Sequence, residues 1–242
     1  MSEHATSAAS RARPLRLALL GYGRMGRLVG VLAKRQGHEV LGHASSTSPL
    51  SSDKLRQADV AIEFSVPTAA EALCRRALAL GVPVVSGSTG WPVEGLRAEV
   101  VDALLPAFLH ATNMSVGVNA LFAANELVAQ VLAKAEAADP SYRVKASIEE
   151  THHIHKLDRP SGTAITLAEP LRLDEPIISH RRGEVLGEHT VAVQTPHDLL
   201  TLAHAAQSRE GFASGALLAA AYVARCGRGQ TPTMRDVLGI GV

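Results

Sequence analysis

The chain has 242 residues, enough for one large domain or two modest domains with a buried core. Its 24 Lys and Arg residues balance 23 Asp and Glu residues, which argues against a protein that binds nucleic acid mainly through net charge. The hydrophobic fraction of 46% excludes global disorder, and we expect no apolar run long enough to span a membrane. Histidine occurs 11 times although aromatic residues make up only 3% of the chain, so the histidines require an explanation.

The termini and cysteines point to an ordinary intracellular protein. Segment 1–14 lacks the apolar region of a secretory signal, and we expect it to be a disordered tail. Cys74 and Cys226 lie in apolar stretches with helical character. We expect buried thiols in a reducing cytoplasm rather than a disulfide framework.

Residues 15–112 predict a domain in which strands and helices alternate. Short apolar strands are expected at 15–20, 39–42, 59–65, 82–86 and 107–111. Helices are expected at 25–36, 68–80 and 93–105, and the first two stop just before a glycine. This alternation is typical of βαβ units with a parallel sheet.

The pattern changes after residue 112. A long helix is expected at 116–135, shorter helices at 164–172 and 212–224, and strands at 142–150, 177–181, 189–195 and 199–206. These elements predict a second, α+β domain over 113–225 with an open mixed sheet, one face of which is covered by helices. We expect 226–242 to return to the first domain.

A glycine loop follows the first predicted strand and begins the first helix, with the sequence Gly21-Tyr22-Gly23-Arg24-Met25-Gly26. Only glycine permits the tight turn and the close approach of a pyrophosphate, which the N–H groups of the helix start can then bind. We therefore expect a dinucleotide-binding, Rossmann-type fold for the first domain.

The second predicted strand lacks the carboxylate that usually binds the ribose of NAD. The residues there include His43, Ser45 and Ser46, and the hydroxyl groups suit a 2′-phosphate, with Arg24 as another candidate. We expect NADPH to be accepted at least as well as NADH.

A cluster of histidines precedes the helix predicted at 164–172. It contains His152, His153 and His155 beside Lys156. Three interpretations are open: a metal site, a solvated polar loop, or acid–base chemistry, which we favour because histidine titrates near neutrality. His189 and His204 lie in predicted strands, and we expect a structural role for them.

Ser161, Gly162 and Thr163 stand where this helix would begin. Ser161 or Thr163 suits an N-cap, and free N–H groups at a helix start can bind a carboxylate. A proton donor beside such a turn indicates a small acidic substrate.

Segment 150–164 resembles the E-x-H-H-x-x-K-x-D-x-P-S-G-T-A signature of the 4-hydroxy-tetrahydrodipicolinate reductase family, also called dihydrodipicolinate reductase. Four further segments resemble motifs of that family in the same order: 21–26, 86–90, 111–119 and 179–191. The resemblance extends from about residue 15 to the end. It departs in a more compact first glycine loop, in Met114 for Phe and in Ser88 for Thr.

The resemblance implies a two-domain, homotetrameric enzyme that reduces 4-hydroxy-tetrahydrodipicolinate with NADPH or NADH in the diaminopimelate route to lysine. It implies that His152 is the acid/base and Lys156 the proton donor. The implied substrate-binding residues are His153, Ser161, Gly162 and Thr163. The implied cofactor-binding residues are 21–26, Gly87, Ser88, Thr89, Ala111, Thr112, Asn113 and Met114, to which the residues after the second strand add Ser45.

Other functions stay open at this point. A catalytically inactive dinucleotide-binding redox sensor would keep the glycine loop, but it would not need His152 together with Lys156. A related amino-acid or imino-acid dehydrogenase, such as one acting on aspartate, would oxidise an amino acid with NAD(P)+. A zinc hydrolase is a more distant alternative. We expect no metal, nucleic acid or membrane partner.

Overall fold

The computed structural model describes residues 13–173 and 175–241, and two sheets organise this part of the chain. The first sheet is parallel, with the strand order β2-β1-β3-β4-β5. The order reverses direction between β1 and β3, which places a ligand crevice at the carboxyl ends of these strands. The strands are β1 (Arg16–Leu20), β2 (Glu39–Ala44), β3 (Val60–Glu63), β4 (Val84–Ser86) and β5 (Phe108–His110).

Helices cover both faces of this sheet, which explains why its strands are apolar runs. Leu17 and Leu19 of β1 belong to the core on one face, whereas Ala18 and Leu20 belong to the core on the other. The first four helices are α1 (Arg24–Arg35), α2 (Ser52–Arg56), α3 (Pro67–Ala79) and α4 (Glu94–Asp102). The short α2 is capped by Ser51 and follows the serine-rich segment after β2.

The second sheet is mixed, with the order β7-β6-β8-β9; β6 and β7 are parallel and the other pairs antiparallel. The predicted combination of a Rossmann-type domain and an open mixed sheet is confirmed. The elements after β5 are α5 (Val116–Ala138), β6 (Lys145–His152), α6 (Gly162–Ala168), β7 (Ile178–Arg181), β8 (Glu188–Gln194), β9 (Leu199–Ala205), α7 (Glu210–Val223) and α8 (Met234–Leu238).

Helix α7 packs on the first sheet, although the predicted domain division assigns it to 113–225. Its residues Ala213, Ala216 and Ala220 are buried in the same core as Leu17 and Val29. These small side chains let the helix lie against α1, β3 and β4. The chain therefore returns to the first sheet before residue 226. Most of the predicted tail 1–14 lies outside the described residues.

The expectation that no apolar run is long enough to span a membrane is wrong for α5. This helix has 23 residues and a mean hydropathy of 1.4, sufficient by length and composition. It nevertheless carries buried polar contacts: Asn119 donates to the Asn113 carbonyl, and Asn125 donates to the Leu167 carbonyl. These contacts, together with packing against β9 and α6, fix one face of α5 to the second domain, although only 22% of its most apolar 18-residue window is buried.

Candidate active site

The glycine loop leaves space for a ligand at the carboxyl end of β1. Gly21 has φ +99°, and a Cβ on it would lie 2.3 Å from the Phe64 carbonyl oxygen. A Cβ on Gly26 would lie 2.1 Å from the Gly21 carbonyl oxygen, so this glycine allows α1 to pack against the loop. At Gly23, a Cβ would meet no protein atom within 4 Å. The loop thus keeps open the position that a dinucleotide pyrophosphate requires.

A cavity of about 730 Å³ runs along this loop, and it contains predicted and unpredicted residues. Its predicted lining residues are Gly21, Tyr22, Gly23 and Ser45. The side chain of His43, a weaker candidate, stacks on Tyr22 with ring centroids 3.6 Å apart. Ser46, named with Ser45 as a candidate for a 2′-phosphate, also lines the cavity. The sequence did not indicate the remaining lining residues, which are Arg27, Ala44, Thr47, Phe64, Ser65, Val66, Ala69, Ala72 and Leu73.

The end of β2 presents hydroxyl groups rather than a carboxylate. The Ser45 side chain accepts a hydrogen bond of 3.1 Å from the Ser48 backbone N–H, which closes a short turn. The guanidinium of Arg27 lies 5.7 Å from the centre of the Tyr22 ring. The cavity therefore has a cation and hydroxyl groups where an NAD-specific site would have an acid.

A second cavity, of about 240 Å³, lies at the ends of β4 and β5. It brings together Met25, Gly87 and residues 111–114, which are candidate cofactor residues from the glycine loop and the family resemblance. Phe64, Arg209 and Phe212 line it as well. Arg209 stands directly before α7 and far along the chain from the other residues, so no local motif indicates it.

Four other predicted cofactor residues occupy different environments. Arg24 and Thr89 are exposed, and Gly26 is buried against Gly21. The Ser88 hydroxyl points inward and donates to Glu63. Ser88 can therefore reach a cofactor only through its backbone in this arrangement.

The histidine cluster is centred on the buried Glu150. Strand β6 extends to His152, two residues beyond its predicted end, and its alternation places Ile148, Glu150 and His152 on the helix-covered face. Nδ1 of His152 lies 3.5 Å from Oε2 of Glu150, and Nε2 of His189 lies 3.7 Å from the same oxygen. His189 joins the site because Glu150 is its direct partner across β6 and β8.

Hydrogen bonds hold the Glu150 carboxylate in place. It accepts from the Ser161 backbone N–H at 3.1 Å, from the Ser179 hydroxyl at 2.8 Å and from Arg181 at 3.3 Å. Burial raises the pKa of Glu150, but the Ser161 and Ser179 hydrogen bonds and the neighbouring His152 outweigh this effect and lower the pKa below its usual value. Glu150 is therefore a fixed negative charge beneath His152.

Both buried histidines of the cluster are neutral near pH 7. Burial lowers the pKa of His152 to about 4, against the opposing effect of Glu150, and Lys156 and Arg181 lower it further. Burial also lowers the pKa of His189 to about 4. A nearby anion would raise the pKa of His152 again, which makes this imidazole responsive to a negatively charged ligand.

Lys156 lies at the edge of this cluster with its ammonium group 2.9 Å from Asp158 Oδ1. Its side chain is 25% exposed, so the ammonium group is partly accessible to solvent. The loop carrying it is fixed by Arg181, which donates to the backbone carbonyls of Lys156 and Asp158. The same guanidinium thus supports Glu150 and the lysine loop.

Ser161 is the N-cap of α6, and its hydroxyl accepts from the Ala164 N–H at 3.2 Å. Thr163 Oγ1 accepts a hydrogen bond from the Asn113 side chain, and a Cβ on Gly162 would lie 3.7 Å from Thr112 Cβ. The predicted carboxylate-binding turn therefore touches the segment that ends the first sheet.

His153 and His155 have different surroundings from His152. Burial lowers the pKa of His153, and the positive charges of Arg209 and Arg24 act in the same direction. His155 is exposed, with its Nε2 4.0 Å from Glu184. His153 therefore faces the cations of the first domain, whereas His155 faces solvent.

Glu150, His152 and His189 are close enough together to be compared with a metal site. One ligand atom from each lies within 4.8 Å of the others. However, the Glu150 carboxylate already accepts from Ser161, Ser179 and Arg181, and the Arg181 guanidinium would repel a metal cation. The donor set fits an oriented acid–base pair better than a metal centre.

Comparisons with known proteins agree with this arrangement. The family model described as dihydrodipicolinate reductase, N-terminus, matches residues 15–114, and the one described as dihydrodipicolinate reductase, C-terminus, matches residues 117–238. The chain belongs to the dihydrodipicolinate reductase family. The resemblance stated from the motifs is thereby confirmed, as is the prediction of an oxidoreductase that uses a nicotinamide dinucleotide.

Relatives of this reductase family match over nearly the whole chain. The 4-hydroxy-tetrahydrodipicolinate reductase of Christiangramia forsetii is 38% identical, and the match covers 93% of this chain and 98% of the relative. The enzyme of the same name from Akkermansia muciniphila is 34% identical, and the match covers 90% of this chain and 95% of the relative.

Solved structures show the same fold at lower identity. Dipicolinate-bound dihydrodipicolinate reductase from Paenisporosarcina sp. TG-14 has a TM-score of 0.69 at 21% identity, covering 93% of this chain and 99% of its own. An amine dehydrogenase from Mycobacterium smegmatis has a TM-score of 0.54 at 10% identity, covering 91% and 95%. The reductase fold and the amine dehydrogenase fold are thus related in architecture.

Proposed function

We propose that this chain reduces 4-hydroxy-tetrahydrodipicolinate to tetrahydrodipicolinate with NADPH or NADH, in the diaminopimelate route to lysine. The observation that carries the proposal is the buried Glu150–His152–His189 cluster, flanked by Lys156 and by the carboxylate-binding turn at Ser161. The Christiangramia forsetii reductase, which bears the name of this activity, is 38% identical to the chain.

The two cavities of the first domain accommodate the cofactor. The glycine loop and Ser45 bind the pyrophosphate and adenosine end, while Gly87 and residues 111–114 line the nicotinamide end. Arg24, Met25, Ser88 and Thr89 contribute through the loop segments to which they belong. When bound, the reduced nicotinamide would supply a hydride to the conjugated ring that is left once the 4-hydroxyl group departs as water, so that one hydride and one proton are taken up for each water released.

The cradle at the start of α6 binds one substrate carboxylate. Gly162 and Thr163 offer backbone N–H groups there, Ser161 caps the helix while its own N–H is bonded to Glu150, and His153 contributes from the preceding loop. Dipicolinate, which is bound to the Paenisporosarcina enzyme, is a small dicarboxylate of this class. A dianion at this position would lie close to His152.

His152 and Lys156 are the acid–base residues for the proton that is added to the substrate ring. His152 is neutral in the free protein because of its burial, and a bound dianion raises its pKa towards neutrality, as an anion next to an imidazole does. Lys156, whose ammonium is oriented by Asp158, donates the proton and stabilises the developing negative charge on the ring. Glu150 orients His152 without contacting substrate.

The cofactor preference and the assembly are parts of the same proposal. Hydroxyl groups and Arg27 in the adenosine cavity favour NADPH at least as much as NADH.

The open face of the second sheet exposes Ile178 and Leu199, at 52% and 64%, and this face suits contacts between copies in a homotetramer. We expect the enzyme to work in the cytoplasm.

An assay in both directions tests the proposed function against its alternatives. The purified chain is given freshly prepared 4-hydroxy-tetrahydrodipicolinate with NADPH or NADH, and loss of cofactor absorbance is followed. Separate reactions offer aspartate with NADP+ or NAD+. The proposal predicts rapid reduction and no amino-acid oxidation; oxidation of aspartate alone favours the dehydrogenase alternative, and no turnover with retained cofactor binding favours the redox sensor.

A further inference from the structure

The side chain of Glu63 is fully buried at the carboxyl end of β3, directly beneath the cofactor crevice. Its Oε1 accepts from the Ser65 N–H at 2.6 Å, the Ser65 hydroxyl at 2.5 Å and the Ser88 hydroxyl at 2.6 Å. Its Oε2 accepts from the Ser86 hydroxyl at 2.6 Å. A single carboxyl group therefore joins the loop after β3 to the end of β4 and the loop after it.

These two loops form the wall shared by the two cofactor cavities. Phe64, between Glu63 and Ser65, lines both cavities. Its ring lies so close to Gly87 that a Cβ there would be 2.1 Å from a ring carbon, and its carbonyl lies against Gly21. The position of Phe64 thus sets the spacing between the glycine loop and the nicotinamide end of the crevice.

The hydrogen bonds of Ser88 connect this wall to Ser65, Trp91 and the end of β5. Its hydroxyl also accepts from the Ser65 N–H at 3.0 Å. Its backbone carbonyl accepts from Trp91 Nε1 at 2.9 Å and lies 3.0 Å from Nε2 of His110 at the end of β5. Removing the Glu63 acceptor would leave the buried Ser86 and Ser88 hydroxyls without it and would release the half-buried Ser65, which forces these loops to rearrange.

We propose that Glu63 is a positioning residue for the cofactor: it fixes the loops at Ser65 and Ser88 so that Phe64 and Gly87 present one continuous crevice to the dinucleotide. Glu63 touches neither the cofactor nor the substrate, and it acts through the three serines. This inference rests on the proposed function, since it assumes that the crevice binds a nicotinamide dinucleotide.

The test measures dissociation constants of NADPH and NADH by fluorescence titration without substrate, together with steady-state KM values. Glu63→Ala removes every acceptor contact and should raise the cofactor Kd and KM about tenfold or more, with the KM of the dicarboxylate unchanged. Glu63→Gln should stay within about threefold, because its amide oxygen can replace Oε1 while the Ser86 hydroxyl turns to accept from the amide.

Asp59→Ala is the matched control. Asp59 stands just before the other end of β3 and accepts hydrogen bonds from Arg16, so its loss should lower thermal stability without changing the cofactor Kd. A folded Glu63→Ala protein with the wild-type cofactor Kd would overturn the inference, because Glu63 would then serve stability alone.

Ser86→Ala covers the case in which Glu63→Ala does not fold. It removes one of the donors and should raise the cofactor Kd by about threefold to tenfold. A wild-type Kd in this variant, with Glu63→Ala unfolded, would also overturn the inference. If the wild-type chain itself binds neither nucleotide, the proposed function fails instead, which separates the two failures.

Discussion

The side-chain amide of Asn113 donates a hydrogen bond of 3.1 Å to Oγ1 of Thr163. Asn113 ends the segment that follows the first sheet, and its Oδ1 accepts from the Ser115 N–H, at the N-cap of α5. Thr163 lies in the first turn of α6, beside the proposed carboxylate cradle. One hydrogen bond therefore connects the proposed nicotinamide side of the cleft to the proposed substrate side.

Removing this connection should impair use of the dicarboxylate. We expect Asn113→Ala and Thr163→Val each to lower kcat/KM for this substrate about tenfold, since each loses the partly buried hydrogen bond that aligns the two halves of the site. Asn113→Ala also loses the bond from the Ser115 N–H, so the double variant should cost no more than about twofold beyond Asn113→Ala alone. Additive losses in steady-state assays would show that the two residues act independently.

Lys156 should matter for chemistry more than for folding. Lys156→Ala removes the proposed proton donor, and we expect kcat to fall by about 10²–10⁴-fold, the usual contribution of a positioned acid. Its ammonium is paired with Asp158 at the edge of the cluster, so thermal stability should change little. His155→Gln, an exposed change in the same loop, is the control and should retain kcat; a Lys156→Ala enzyme as fast as this control would remove the assignment.

A carboxylate at the end of β2 should reverse the cofactor preference. Ser45→Asp places a negative charge where a 2′-phosphate would approach and where an NAD-binding acid normally stands. We expect the ratio of kcat/KM for NADH to that for NADPH to rise about tenfold or more. The measurement compares both cofactors in one preparation, and an unchanged ratio would place the 2′-phosphate contact elsewhere.

The first sheet and the glycine loop were predictable because their signals are local. Apolar runs define β1 to β5, and the glycines at 21, 23 and 26 belong to one short loop of recognisable spacing. Residue type alone likewise indicated two candidates for the N-cap of α6, Ser161 and Thr163, and Ser161 is the one that caps the helix. For α7, composition indicated a helix but not the sheet on which it packs, because that choice depends on its fit against α1.

The parts of the site that escaped prediction depend on contacts between distant segments. His189 was expected to be structural, yet the antiparallel register of β6 and β8 pairs it with Glu150. Arg209 lines the cavity at the ends of β4 and β5 because α7 returns to the first sheet. Glu63 was invisible as a functional residue because its three serine partners come from separate segments after β3 and at the end of β4.

The buried histidines should make the protein sensitive to acid. The pKa of His189 is lowered to about 4 by burial and by the adjacent His152, whereas in the unfolded chain it returns to its ordinary value near 6.5. Between these two pH values the unfolded state binds more protons than the folded state. Burial of neutral His189 therefore costs no stability above about pH 6.5. As the pH decreases from 6.5 towards 4, the free energy of unfolding falls by about 1.4 kcal/mol for each pH unit.

Thermal unfolding at pH 7 and pH 5 tests this dependence. Wild-type protein should lose more of its Tm over this interval than His189→Asn does, because the variant has no buried imidazole to protonate on unfolding. His155→Gln, exposed to solvent, should follow the wild type. Equal losses in the wild type and His189→Asn would contradict the role of burial at this position.

The most direct test of the central claim is kcat for His152→Gln with 4-hydroxy-tetrahydrodipicolinate, measured alongside its cofactor Kd. His152 lies next to Glu150 in the second domain and lines neither cofactor cavity. The cofactor Kd of the variant should therefore equal that of the wild type. We predict a fall in kcat of about 10²–10⁴-fold with the Kd within about twofold of the wild type. A variant that turns over within about threefold of the wild-type rate would contradict the assignment of acid–base chemistry to this cluster.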